Sequence, residues 1–505
     1  MKHLSTVSVL AVCAMSSPAL ADVTPADVWG NLESYMSGMG YEMEASESMS
    51  GDTLTVSDIT MSMDIPDADG SVIVGMGEMS LTDNGDGTVA ITWPSPMPIT
   101  VSMDIEGDPV ELGFDYSYEG LDMTVSGTPD VMTYDYTADS LGLTLTNLVV
   151  DGETITREMA TMQLMMAGLS GSSAFNLADS MRMITQTLNA STLTVTGMAA
   201  EPGTDNGGNF SLTMTDIESG SESMVPEDMD YTDMAGMLAK GFAGAAQLSH
   251  SGFDMSFDAN DSGNRTQGTV TTASGTIEFG MSEDAMRYEA GNTDMVVAIQ
   301  GGDIPLPINA TMAETAFTFA VPLQKSEEPQ DAAIGITLGG FETSDMIWGM
   351  IDPAGVLPRD PATISADLTA KVTPFISLLN EDDMTKLERG EVMPGELNAV
   401  TLNSLLVEAA GGKISGEGAF TFDNSDTESF DGFPAPEGKL NLSVSGANGL
   451  IDKIIQMGFM SEEDAMGARM MLSMFTVPGS QPDTATSVIE VNDQGHVLAN
   501  GQRIK

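Results

Sequence analysis

The sequence predicts an α+β fold, mainly β, built of long curved antiparallel sheets with bulges and capped by several amphipathic helices. Three observations carry this expectation. Apolar residues alternate with Ser, Thr, Asp and Asn at period two, which marks strands with one buried and one wet face. In DITMSMDI (58–65), Ile59, Met61, Met63 and Ile65 fall on one side and Asp58, Thr60, Ser62 and Asp64 on the other. Glycine- and Asp/Asn-rich turns separate such runs, and short stretches of period 3.6 with capping residues interrupt them.

The N-terminus reads as a segment to be removed before folding. Lys2 precedes an apolar run from about Leu4 to Met15, and Ala19 and Ala21 have the A-x-A spacing of signal-peptidase sites. Residues 1–21 are the expected signal peptide. Its apolar run is shorter than the roughly 20 residues of a membrane span, and no later segment is long and apolar enough. Cys13, the only cysteine, is expected to leave with it. A lipoprotein reading would use LAVC, but Val12 is bulky where a small residue is wanted. The mature chain then has no thiol, so disulfides, zinc–thiolate sites and cysteine nucleophiles are excluded. The expected location is the periplasm, with the extracellular space as alternative.

The chain carries 75 acidic and 17 basic residues, a formal net charge of −58. That field repels nucleic acid and anionic membranes, and it repels itself, so stability should rise with salt. Adaptation to a saline medium explains it; a dedicated cation-binding role is the sharper alternative. With 41% apolar residues and clear periodicity, disorder is not the reading.

A helix should open the mature chain. Thr24 is a natural N-cap, Pro25 stands at the first helical position and Asp27 completes a capping-box spacing. Val28, Trp29, Leu32, Met36 and Met39 form one stripe, and Gly38 and Gly40 end it. Strands follow from about 41 to 160. DNGDGT (83–88) predicts a tight hairpin at Asp86-Gly87. An EF-hand register there would put Thr82 and Trp93 at ligand positions, which excludes it.

One pattern recurs: LTVSDI from Leu54, LTLTNL from Leu143, LTMTDI from Leu212 and VTLNSL from Val400. Two apolar residues at period two are followed by one that switches parity. A parity switch needs an extra residue, which a β-bulge supplies.

Further helices are expected in NLADSMRMITQTL, with Leu177, Met181, Ile184 and Leu188 on one face, and around 230–242. Another should be capped near Thr343 or Ser344, and a C-terminal pair should follow, ANGLIDKIIQMGF and SEEDAMGARMMLSMF, the second with a Ser461/Asp464 capping box. Residues 324–331 (QKSEEPQD) read as a linker between an N-terminal β-rich region, 22–325, and a C-terminal one, 332–505.

The chemistry-bearing motifs do not assemble. There is no G-x-S-x-G elbow and no H-E-x-x-H. GMGEMS (75–80) and GEGAFT (416–421) lack the third glycine of a dinucleotide loop. His250 beside Ser249 and Ser251, and His496 beside the last turn, read as ordinary side chains. The pairs Asp382-Asp383 and Glu462-Glu463 have glycosidase composition, but among 75 acids adjacency says little. The Met61/Met63, Met181/Met183 and Met159/Met162/Met165 spacings would suit cuprous ion, yet methionine fills the same slots as Leu, Ile and Val, so it reads as core filler. No catalytic, cofactor or metal residue is assigned.

Two resemblances enter on longer stretches. ADVTPADVWGNLESYMSGMGYE, LPRDPATISADL and the closing NGQRI resemble an uncharacterised alphaproteobacterial family, domain of unknown function two-one-two-five, over nearly all of the mature chain. Within 400–505, the strand Gly416–Asp423, the G-x-L-x-L-x-V-x-G run Gly438–Gly446 and the helix after it resemble the C-terminal portion of AsmA-like envelope proteins. That second likeness implies extended β grooves that shield lipid tails; this chain departs from it in lacking a retained membrane anchor. The expected function is a non-enzymatic exported envelope protein holding a lipid, another hydrophobic ligand or a protein partner on an apolar sheet face. The alternative is an acid-rich extracytoplasmic hydrolase using carboxylates, with or without calcium.

Overall fold

The computed structural model describes residues 23–64, 70–105, 108–178, 181–226 and 233–505. The expected signal peptide with Cys13, and Ile65 of the 58–65 stretch, lie outside them. The structure is mostly β, 63% strand and 13% helix, in one large antiparallel sheet with a few helices.

Helix α1 (Pro25–Gly38) starts as expected. The Thr24 side chain accepts from the Asp27 backbone N–H, and the Asp27 carboxylate accepts from the Thr24 backbone N–H at 3.0 Å. Hairpin β1 (Glu42–Ser50)–β2 (Thr53–Asp64) begins the sheet. Two shorter strands then lie end to end beside β2. Ile59–Asp64 pairs with β3 (Gly70–Met76), and Thr53–Val56 with β4 (Met79–Asp83).

The two tiers continue through β5 (Val89–Thr92), β6 (Met97–Ile105), β7 (Asp108–Glu119) and β8 (Asp122–Thr128). They merge on β9 (Val131–Val150), whose first half pairs with β8 and second half with β7. The expected turn at 83–88 is a hairpin, with Asp83 facing Val89 across a loop in which Gly85 and Gly87 have positive φ.

After β10 (Glu153–Thr154) come three long strands, β11 (Ala160–Ala178), β12 (Met181–Ala200) and β13 (Gly207–Pro226). The helix expected in NLADSMRMITQTL is not there. Its backbone belongs to the β11–β12 hairpin, with Leu177 facing Arg182 and Phe175 facing Ile184; residues 179–180 lie outside the described set. The apolar spacing fits a helix, but the run continues into TQTLNASTLTV, where Thr and Val favour a pleated surface and both neighbouring strands offer partners.

The tiers split again. Beside β13 lie β14 (Ala243–His250) and β15 (Gly252–Asp261), after the short helix α2 (Met234–Ala239); then come β16 (Asn264–Thr272) and β17 (Ser274–Met281), and β18 (Ala285–Gly301) spans both. From there single strands run in chain order: β19 (Ile308–Pro322), β20 (Gln330–Thr343), β21 (Ala362–Pro374), β22 (Gly395–Ala409), β23 (Gly412–Asp423) and β24 (Ala435–Ser445). Helix α3 (Asp345–Ile351) and helix α4 (Glu381–Glu388) sit in the connections, while α5 (Ala447–Gln456) and α6 (Glu462–Phe475) follow β24. The strands β25 (Val477–Pro478), β26 (Thr484–Val491), β27 (Val497–Ala499) and β28 (Gln502–Arg503) close the chain. β19 and β20 pair directly, so the sheet is continuous across the expected linker at 324–331. The result is about twenty strand positions side by side, roughly 95 Å along the hydrogen-bonding direction.

The four parity switches fall on irregularities. The β1–β2 register shifts opposite Asp58, β7–β9 shifts at Thr146, and β21–β22 and β22–β23 shift at Asn403. At Asp216, β13 exchanges its partner β15 for β14. Asp58, Asp216 and Asp294 have φ of 55°, 48° and 48°, and each stands where a long strand passes from one tier partner to the other. Asp is among the few residues that adopt this left-handed conformation at low cost. The extra residue keeps Leu54 and Val56 on the same face as Ile59 and Met61.

The main core lies under α1. Val28 and Trp29 pack with Leu54, Val56, Leu81, Val89, Val125 and Met132. Tyr134 donates to Asn31 Oδ1 at 3.1 Å, and its ring meets Phe175 edge-on. Burial raises the Tyr134 pKa far above the ordinary tyrosine value, with Arg182 opposing. A smaller cluster, Ala138, Leu169, Ala190 and Ile217, packs against apolar residues of the same strands and of the β7–β8 turn.

Candidate functional site

Directly paired residues in an antiparallel sheet share a face, so the registers give the composition of each face. From β17 to β24 one row reads Ile277, Ala290, Phe317, Ile336, Ala366, Leu405, Gly416, Leu442. Two residues along, the next reads Phe279, Tyr288, Phe319, Ile334, Leu368, Leu402, Gly418, Leu440. A third row on the other side contains Leu338, Ile364, Val407, Ile414 and Val444. These three rows contain no charged residue. The opposite face carries Glu278, Arg287, Glu289, Asp367, Lys371, Lys413, Glu417 and Lys439, several in ion pairs such as Lys371–Asp331 at 2.6 Å and Lys413–Glu408 at 2.9 Å.

Nothing among the described residues covers this face. Ile334 is 51% exposed, Ile364 50% and Phe317 40%, and none of the side chains in the three rows is buried. Seven strand spacings make it about 34 Å wide, and the rows span some 14 Å along the strands. A contiguous apolar area on the order of 500 Å² lies at the upper end of what monomeric proteins leave in water, and such areas are commonly binding sites. At one margin the sheet forms a cavity of about 320 Å³ lined by Val321, Ala332, Val372, Ile376, Leu378 and Leu397.

The helices at the other margin are positioned by specific caps. Asp483, from the β25–β26 turn, accepts from the backbone N–H groups of Asn448 (3.0 Å) and Gly449 (2.9 Å) at the start of α5, whose N-cap Gly446 has no side chain to do so. Burial alone would raise the Asp483 pKa; the Gly449 and Asn448 N–H groups and Arg469 outweigh it and hold the carboxyl below its ordinary value. Leu450 of α5 lies on the apolar side of the sheet, its Cδ2 3.1 Å from where a Cβ on Gly412 would be.

The residues considered for chemistry are placed apart. Asp382 and Asp383 lie in the first turn of α4, where Asp383 accepts from Ser377 N–H at 3.1 Å. Glu462 and Glu463 open α6 behind Ser461, whose hydroxyl accepts from Asp464 N–H at 3.1 Å. Both pairs therefore complement helix N-termini. His250 ends β14 beside Phe253, its Nδ1 buried without a partner; burial lowers its pKa, with the Gly252 backbone opposing. His496 lies in the β26–β27 turn. Met61 is buried and Met183 is 41% exposed, so these methionines do not share one environment. Among the described residues no group of three or more His, Cys, Asp or Glu is arranged to hold a metal ion, and no helix is long and apolar enough to cross a membrane. Sequence reading missed α4, although Asn380, three acids and Lys386 spell its cap and charge pattern.

No protein-family model matches the chain, and no curated protein matches it.

Proposed function

We propose that this chain is an exported, non-enzymatic envelope protein that holds a lipid or another hydrophobic ligand on the uncovered apolar face of its sheet. One observation carries the reading: the charge-free rows from Ile277 to Leu442 lie open to solvent while the reverse face is polar and ion-paired. Exposed hydrocarbon of this extent is costly in water, at about 25 cal/mol per Å², and an apolar ligand recovers that cost.

A curved face bounded by helices belongs to the same proposal. Strands twist by roughly 20° relative to their neighbours, which coils a sheet of this length. The burial of Leu169 and Ile217 among side chains of the same strands and of the β7–β8 turn supports such a curve. Export through residues 1–21 and membership of the alphaproteobacterial family that the sequence resembles complete the reading. The hydrolase alternative has no comparable support, since the acidic pairs it would use stabilise helix N-termini.

The test is organic extraction of protein purified without detergent from an exporting host, followed by lipid mass spectrometry. The proposal expects near-stoichiometric lipid or another hydrocarbon-bearing compound. Extracts no richer than those of a control exported protein, together with calcium-dependent hydrolysis, would reverse it.

A further inference from the structure

Resting on that reading, we propose that the helical end of the sheet docks on the surface of a zwitterionic phospholipid bilayer and is where a lipid passes onto the apolar face. The outward side of α6 carries Met466, Met470, Met471 and Met474, with exposures of 67%, 67%, 62% and 57%. Met466, Met470 and Met474 recur at i, i+4, i+8, one stripe about 12 Å long. From Met466 to Met474 the one charged residue is Arg469, half-exposed and paired with Asp452, although the chain as a whole carries −58. Phe459, in the α5–α6 turn, is 72% exposed, and α3 adds exposed Met346, Met350 and Ile351.

These helices belong to one end of the sheet. The β22–β23 turn at Gly411 is flanked by Pro358, just after α3, and by Lys453 of α5. Continuity with the proposed ligand face is direct, since Leu450 of α5 lies over Gly412, in line with Ile414 and Gly416. The arginines of this end are neutralised locally, Arg359 by Asp345 and Arg469 by Asp452.

Charge selects the occupant. A second copy would bring another −58 against the first, and an anionic bilayer is repelled for the same reason. A neutral lipid surface meets a charge-free stripe without either penalty, and flexible, exposed apolar side chains on an amphipathic helix are what enters the headgroup boundary.

The experiment is flotation of the mature chain with phosphatidylcholine vesicles, with lipid per chain measured separately by mass spectrometry. Met470→Glu/Met474→Glu should reduce flotation about tenfold or more and lower to a similar degree the lipid that chain stripped of lipid beforehand takes up from the vesicles. Both side chains point to solvent, so circular dichroism should be unaltered; Met470→Ser/Met474→Ser provides a milder second variant. The proposal is overturned if the wild type does not float, if the Glu variant floats equally well, or if light scattering shows a dimer that the Glu variant dissolves. Flotation without any bound lipid would sink the sheet-face reading and leave the docking surface standing. Bound lipid without flotation would do the reverse.

Discussion

Phe317 and Ile336 are direct cross-strand partners on the charge-free face, and neither is covered by any other described element. Their contact stabilises the sheet little and defines a surface for hydrocarbon. Ile336→Asp should change unfolding free energy by no more than about 0.5 kcal/mol, as exposed substitutions do. It should weaken binding of a fluorescent fatty-acid probe about tenfold, because bound hydrocarbon would bury the new carboxylate. Urea denaturation and probe titration measure the two quantities on the same sample.

The same residue type should behave oppositely at the two ends of the sheet. Leu81 is fully buried beneath α1, and Leu338 is 39% exposed. Leu81→Ala should cost about 2–5 kcal/mol through lost burial and a cavity. Leu338→Ala should cost less than about 1 kcal/mol. Equal losses in urea melts would mean that the Leu338 face is covered after all.

The left-handed backbone at Asp58 sets a third expectation. Asp58→Val puts a β-branched residue at φ 55° and should destabilise by about 1–2 kcal/mol, whereas Asp58→Gly should lie within roughly 0.5 kcal/mol of the parent. Thermal melts of the two variants decide it.

Asp483 makes α5 sensitive to acid. Its folded-state pKa is depressed, so its stabilising contribution is fully present above the unfolded carboxylate value near 3.9 and is lost as pH falls through the lower, folded value. Asp483→Gly removes the cap yet keeps a residue that tolerates φ 51°. It should cost about 1 kcal/mol at neutral pH, and the difference from wild type should shrink on acidification below about pH 4. Urea midpoints across pH 2.5–7 check both parts, a window of roughly that width following from the carboxylate reference value.

With −58 charges and eight exposed ion pairs among the described residues, repulsion outweighs attraction. Raising salt from about 0.02 to 0.5 M shortens the Debye length from roughly 20 Å to about 4 Å and should raise the urea midpoint. A falling midpoint would show that ion pairs dominate.

Local chemistry made much of this legible. The Thr24–Pro25–Asp27 signature placed α1, and the parity switches at Asp58, Thr146, Asp216 and Asn403 placed backbone irregularities that the strand registers bear out. Leu177 to Leu188 misled because its spacing satisfies a helix, and only the strands on either side show that the segment is extended. The openness of the face was not legible. Period two says that Ile334, Ile336 and Leu338 share a side, and the same alternation describes a sealed sandwich or an open sheet. What covers a face depends on elements distant in the chain: α1 lies over β2 and β9, and no described element lies over Ile334, Ile336 and Leu338.

The central claim is tested most directly by comparing two neighbouring residues on one strand. A photoreactive benzophenone amino acid is placed at Ile336, on the apolar face, or at Thr337, on the polar one, and each protein is irradiated in the exporting host. The account predicts lipid adducts at position 336 and none at 337. Equal labelling at both positions, or cross-links at 336 to protein alone, would contradict it.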